Sequence, residues 1–145
     1  MQTPALKPSV RWLLAATVFF GCGIPYYSQP CLSQIAQSAG ISQLQMGSLS
    51  SLTLAGFVVG LILIVPLADV WEKRRLLVGL FLAESVFLVL FSRSTSYGLF
   101  LFSSLGIGLS AVVSQVAIPY VARLSRAKER GRNRGIVLGA AFLGI

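Results

Sequence analysis

Four long apolar runs alternate with short polar segments along the chain, and the beginning of a fifth closes it. The runs cover about residues 12–36, 46–69, 75–91 and 97–122. Each is close to or above the roughly 20 residues that a helix needs to cross a bilayer, so each predicts a transmembrane helix. The fifth run starts at Gly135 and stops at Ile145, short of a full span. The fold class read from this pattern is all-α and polytopic. The connections are short: Gln37–Gln45, polar and without charge; the turn after Asp69; Ser92–Ser96, with one cation, Arg93; and Arg123–Arg134.

Several positions interrupt the apolar runs. The first contains P-Y-Y-S-Q-P from Pro25 to Pro30, a costly stretch against lipid but tolerable where a helix lines a water-filled cavity. The second holds Gly56-x-x-x-Gly60, the small-residue spacing that lets helix backbones approach closely. The third is apolar except for Glu84 near its middle. The fourth carries Gly106, Gly108, Ser110, Ser114, Gln115 and Pro119. Gly131, Gly135 and Gly139 recur every four residues at the start of the fifth, which predicts a packing face.

Charge then orients the helices. Lys7, Arg11, the Lys73–Arg75 cluster and the six cations from Arg123 to Arg134 fall on one side, and only Arg93 falls on the other. The positive-inside rule makes that first side cytoplasmic, with the N-terminus inside and four complete crossings. Arg11 followed by Trp12–Ile24 imitates a signal peptide, but the further spans favour an uncleaved first helix. Of the 145 residues, 55% are hydrophobic and 11% charged, with a mean hydropathy of +0.81. Soluble domains carry about 25% charged residues, so the chain cannot wet a globular surface. The net charge of +8 does not point to nucleic acid, because the cations sit at span ends, where they meet lipid headgroups, and form no basic face interleaved with aromatics.

The chain has no histidine, which removes the commonest metal ligand and the usual neutral-pH acid–base group. It also has no G-x-x-x-x-G-K-[ST] loop. An enzyme is not expected, nor a metal or cofactor. Cys22 and Cys31 are roughly 13 Å apart on a continuous helix, and a disulfide needs Cα atoms within about 7 Å. They read as small apolar side chains.

The stretch V-P-L-A-D-V-W-E-K-R-R, from Val65 to Arg75, resembles the loop between the second and third spans of the major facilitator superfamily, roughly G-x-L-A-D-R-x-G-R-R. Leu67, Ala68, Asp69, Lys73 and Arg74 fall on matching positions. Val65 and Glu72 stand where the family prefers glycine, and Val70 where it prefers a cation. Tyr26 to Leu32, Y-Y-S-Q-P-C-L, is similar to the Y-Y-x-Q-P-L-L pattern of the efflux permeases that resemble drug–proton antiporters. Q-V-A-I-P-Y-V-A-R-L with E-R-G-R-N-R-G resembles the same branch's fourth span and following loop, with Gln115, Pro119, Ala122, Arg130 and Gly131 on matching positions. Many proton-coupled members carry an arginine in the fourth span where this chain has Phe102, so that residue's role does not transfer.

The resemblance implies a twelve-helix fold of two six-helix halves, of which residues 1–145 supply part of the N-terminal half. It implies proton-coupled efflux of a small molecule by alternating access in a longer parent, seated in a bacterial inner membrane and driven by the proton gradient, with this piece alone inactive and its C-terminal half missing. It places Tyr26, Tyr27, Ser28 and Gln29 of the first span, and Ser114 and Gln115 of the fourth, on the central cavity, although the same groups would also serve to bond neighbouring helices. Asp69, with Lys73, Arg74 and Arg75, would latch the cytoplasmic side shut against the other half; the plainer reading is a topology-setting charge cluster. Glu84 is either a proton-relay site or a neutral acid bonded to a neighbouring helix, since a charge at mid-bilayer costs roughly 2.5–3.5 kcal/mol. Two rival readings stand beside this one: a complete four-span homodimer like the small multidrug exporters, with Glu84 as its pore acid, and a non-transporting membrane remnant.

Overall fold

The structure, a computed structural model, describes residues 8–27, 34 and 40–145, with side chains for all of these except 24–27 and 43. The described residues are helical, with no strand: α1 (Pro8–Tyr27), α2 (Gln43–Val70), α3 (Lys73–Ser92), α4 (Tyr97–Ser110), α5 (Val113–Leu124), a single 3₁₀ turn at Ala127–Glu129, and α6 (Arg130–Gly144). Three stretches are long and apolar enough to cross a membrane: Leu44–Val70, Lys73–Ser92, and Tyr97–Leu124, which contains α4 and α5. The expected continuation of the first helix to residue 36, with Ser28, Gln29, Pro30 and Cys31, lies outside the described residues except for Gln34.

Local chemistry sets the helix ends. Ser42 caps α2 through a reciprocal pair: its hydroxyl accepts from the Gln45 amide at 3.3 Å, and the Gln45 side chain accepts from the Ser42 amide at 3.0 Å. This capping box satisfies two of the amides a helix start leaves open. At the other end the Trp71 amide donates to the Leu67 carbonyl at 2.9 Å, and Lys73 Nζ donates to the Ala68 carbonyl at 2.7 Å. A cation there also suits the negative end of the helix dipole. Ser96 starts α4 by accepting from the Leu99 amide.

The fourth span is the centre of the bundle. Two-thirds of its apolar window, 67%, is buried, against 17% for the second span and 22% for the third. α4 packs on α2 and α3, and α5 packs on α1, α6 and α3. Between bundle helices in lipid there is no hydrophobic drive, so contact rests on close packing. The second span reaches the fourth through glycines. A Cβ added at Gly56 would lie 2.5 Å from the Leu105 carbonyl oxygen, one at Gly60 would lie 2.7 Å from that of Leu109, and one at Gly108 would strike the Thr53 carbonyl. The Gly56–Gly60 spacing is therefore a backbone-to-backbone contact, with Gly108 supplying the matching groove.

The fourth span differs from the continuous helix its sequence predicts. Ala111 and Val112 sit near ψ of zero, at −2° and 6°. The Ala111 amide is shared between the Ile107 and Gly108 carbonyls, and the Gln115 amide returns to the Val112 carbonyl at 3.0 Å. The helix tightens for one turn into i→i+3 bonding, a geometry that often marks a hinge in a long helix.

The fifth segment also differs. Gly131, Gly135 and Gly139 are exposed, and an added Cβ at any of them meets nothing within 4 Å. The packing face is instead Asn133, Val137 and Ala141, all buried, about 200° around the helix from the glycines. Asn133 explains the choice: its amide donates to Ser125 Oγ at 2.9 Å, and its oxygen accepts from Arg11 Nη1 at 3.4 Å. Satisfying a buried amide outweighs the modest gain of a smooth glycine face.

The glycine contact makes a direct prediction. Gly56→Ala forces a methyl onto the Leu105 carbonyl and lowers stability by about 1–3 kcal/mol, the ordinary cost of overpacking. Gly79→Ala, at a position with nothing within 4 Å, leaves it unchanged or slightly raised. Thermal unfolding of the two variants in detergent micelles checks the difference; equal melting temperatures would contradict the contact.

Candidate functional site

On α5 the exposed residues recur every four positions: Gln115, Pro119 and Arg123. The rest of that face is set by burial. Val113, Ser114, Val116, Ala117 and Val121 turn into the bundle, so an uncovered stripe runs down the second half of the fourth span. Pro119 has no amide to donate to the Gln115 carbonyl one turn above it.

The stripe ends at Asp69. Arg123 Nη2 lies 3.1 Å from Asp69 Oδ1 and joins the end of α5 to the end of α2. The side chains of the pair are 63% and 67% exposed. An ion pair in that setting is worth about 0–1 kcal/mol, so it fixes where the Asp69 carboxylate points more than it holds the bundle together. Around it the loop is internally satisfied. Lys73 caps α2 as described, and Arg75 Nε contacts Glu72 at 2.8 Å. Arg74 is exposed.

The residues singled out from the sequence divide as follows. Gln115 and Asp69 stand at the two ends of one exposed stripe. Ser114 is 6% exposed and faces the bundle interior, away from Gln115. Tyr26 and Tyr27 are the last residues of α1, their side chains outside the description, and Gln29 lies beyond it. Glu84 is 1% exposed and turned inward from α3, and neither carboxyl oxygen has a hydrogen-bond partner. Phe102, where an arginine would stand in many proton-coupled proteins, is exposed and packs edge-on to Phe87.

Two features escaped the sequence reading. Arg123 appeared only as one cation among six, yet it is the partner of Asp69. Its signal is its spacing, four and eight residues after Pro119 and Gln115. The second is the cluster of Arg11, Ser125, Arg130 and Asn133 at the same end of the bundle. Arg130 Nε donates to the Ser125 carbonyl at 3.2 Å, and the Asn133 amide bridges Ser125 to Arg11. Asn133 stands four residues before Val137 and eight before Ala141, on the one apolar face of a basic segment, and that register marks it as inward.

The family model described as Major Facilitator Superfamily matches residues 10–145. The uncharacterized transporter YgaY, in two strains of Escherichia coli, is 29% identical to this chain over 140 residues, which is 97% of the chain and 36% of the relative. The chain thus spans 36% of the length of the curated relatives it matches. No solved structure matches it. The three apolar spans, the Asp69 loop and the family match along nearly the whole chain agree: this is a multi-pass membrane protein, and it belongs to the major facilitator superfamily.

Proposed function

We propose that the chain forms part of a secondary transporter that moves a small solute across the membrane by alternating access, in the direction of efflux and coupled to protons. The observation that carries this reading is the stripe Gln115–Pro119–Arg123 on the fourth span, which no described helix covers and which ends at Asp69 of the second. Transporter sites lie near the midplane at the interface of two halves, where a helix face is left open to water. Gln115 would offer its amide to the solute's polar groups. Tyr26, Tyr27 and Gln29 of the first span and Ser114 of the fourth complete the proposed set, Ser114 as a support from behind rather than a lining group.

Asp69 is the proposed conformational latch, with Lys73, Arg74 and Arg75 beside it. Arg123 holds its carboxylate at the edge of the stripe, where a helix N-terminus of the other half would meet it, and the dipole there favours an anion. The proposal sets the N-terminus and the Asp69 loop on the cytoplasmic side of a bacterial inner membrane. The homodimeric four-span reading has less support, because its required pore acid, Glu84, is turned into the bundle.

Orientation is tested with single cysteines in a Cys22→Ser, Cys31→Ser background, at Leu44, 87% exposed, and Trp71, 58% exposed. An impermeant thiol reagent applied outside intact cells labels Leu44→Cys and spares Trp71→Cys. The opposite pattern would invert the topology.

The site is tested in the whole transporter. Gln115→Ala weakens apparent solute affinity about tenfold, the value of one lost hydrogen bond at about 1.4 kcal/mol, while membrane expression holds. Asp69→Asn leaves solute binding within twofold and slows transport. Binding isotherms paired with flux measurements separate the two effects. Unchanged affinity in Gln115→Ala removes it from the lining, and unchanged flux in Asp69→Asn removes the latch.

A further inference from the structure

Glu84 is the one fully buried acid among the described residues, and the site described above does not use it. It stands in the middle of the inward face of α3, in line with Leu77 and Leu80, while Leu82 and Val86 face outward. Its level in the bundle follows from its neighbours on either side. A Cβ at Gly106 would strike the Phe87 ring, and a Cβ at Gly21 would meet Val113 at 3.2 Å and Phe81 at 3.5 Å. Glu84 is midway between Phe81 and Phe87, so it stands level with residues 107–112, the turn where the fourth span tightens. Ser110 in that turn donates its hydroxyl to the Gly106 carbonyl at 2.8 Å, which leaves the oxygen's lone pairs open to accept.

Among the described side chains, no charge faces Glu84. On α4 the titratable side chain is Tyr97, at its start; on α5 they are Tyr120 and Arg123, at its end; on α2 it is Asp69, at the last turn. On α1, Arg11 stands at the far end, the partly buried thiol of Cys22 is the nearest in level among the described side chains, and the phenols Tyr26 and Tyr27, uncharged near neutral pH, close the helix. On α3 itself the cations Lys73, Arg74 and Arg75 are more than two turns away. Among the described residues a carboxylate there has neither a counter-ion nor a hydrogen bond, and an isolated buried charge takes up a proton rather than persist.

We propose that Glu84 is an intramembrane proton-binding site, a neutral carboxylic acid seated against the tightened turn of the fourth span, whose proton loss loosens that contact. When the acid's O–H bond breaks, the proton passes to water that reaches the carboxyl as α3 and the turn part, and the carboxylate stays in the hydrated gap. Reprotonation reverses the step and lets the interface close. The tightened turn at Ala111–Val112 is the element that responds, since it has already left regular α-helical bonding and lies one turn from Gln115. The inference deepens the proton coupling in the proposed function and rests on that reading for its purpose, but not for its test.

The chain contains three glutamates, Glu72, Glu84 and Glu129. The purified chain, labelled with ¹³C at the glutamate carboxyls and placed in bilayer nanodiscs, reports each by NMR without any substitution. Near neutral pH one of the three signals sits at the neutral-acid position, and it is absent from Glu84→Gln. As pH is raised that signal moves to the carboxylate position, and the amide signals of Ala111 and Val112 shift in the same titration, whereas in Glu84→Gln they stay still. Three carboxylate signals near neutral pH would overturn the proton site. An acid signal that titrates with no response at Ala111 and Val112 would overturn the coupling. Neither result bears on whether the whole transporter carries a solute, so the two readings fail separately.

Discussion

The bundle depends on one close approach, that of the second span to the fourth. In lipid, apolar side chains gain little by meeting one another rather than acyl tails, so helices associate where backbones come near enough for dense van der Waals contact. Gly56 and Gly60 on one side and Gly108 on the other allow this. The contact fixes α4, and α4 leads into α5, which gathers α1, α3 and α6 around it. With so much of the fourth span committed to packing, the polar residues it leaves uncovered fall on a single line. The position of Gln115 is thus a consequence of the glycines half a helix away.

The ends of that line have a different physics. Asp69 and Arg123 meet in an exposed setting where an ion pair contributes little to stability. Its value is positional. It ties the end of α2, whose last carbonyls Lys73 already caps, to the end of the hub helix. The buried polar cluster of Arg11, Ser125 and Asn133 ties α1 and α6 to the same end of the bundle. That end of the bundle is therefore held by hydrogen bonds and charge, and the middle of the spans by glycine packing.

Much of this was legible in the sequence. The apolar runs gave the all-helical, membrane-spanning class, and the Gly56–Gly60 spacing gave a true contact, because both signals are local and periodic. The Val65–Arg75 motif led to the right family for the same reason. What was not legible depended on register between helices. Gly131, Gly135 and Gly139 share the spacing of Gly56 and Gly60, yet they face outward, because Asn133 claims the inward side for its hydrogen bonds. The neighbours Ser114 and Gln115 read as a pair but are a hundred degrees apart on a helix, and the bundle buries one and exposes the other. Arg123 looked like any other cation until the end of α2 was placed beside it. The tightened turn at Ala111–Val112 has no proline at the break to announce it.

The central claim is that the exposed line on the fourth span faces water and not lipid. Spin labels at Gln115 and at Leu82, which is 63% exposed on α3, compare the two environments in the whole transporter reconstituted in bilayers. Collision rates with a water-soluble nickel complex and with oxygen, which concentrates in lipid, report each site. The account predicts a label at Gln115 reached by nickel far more than the label at Leu82, and a label at Leu82 reached mainly by oxygen. A label at Gln115 with the oxygen-dominated profile of Leu82 would contradict it.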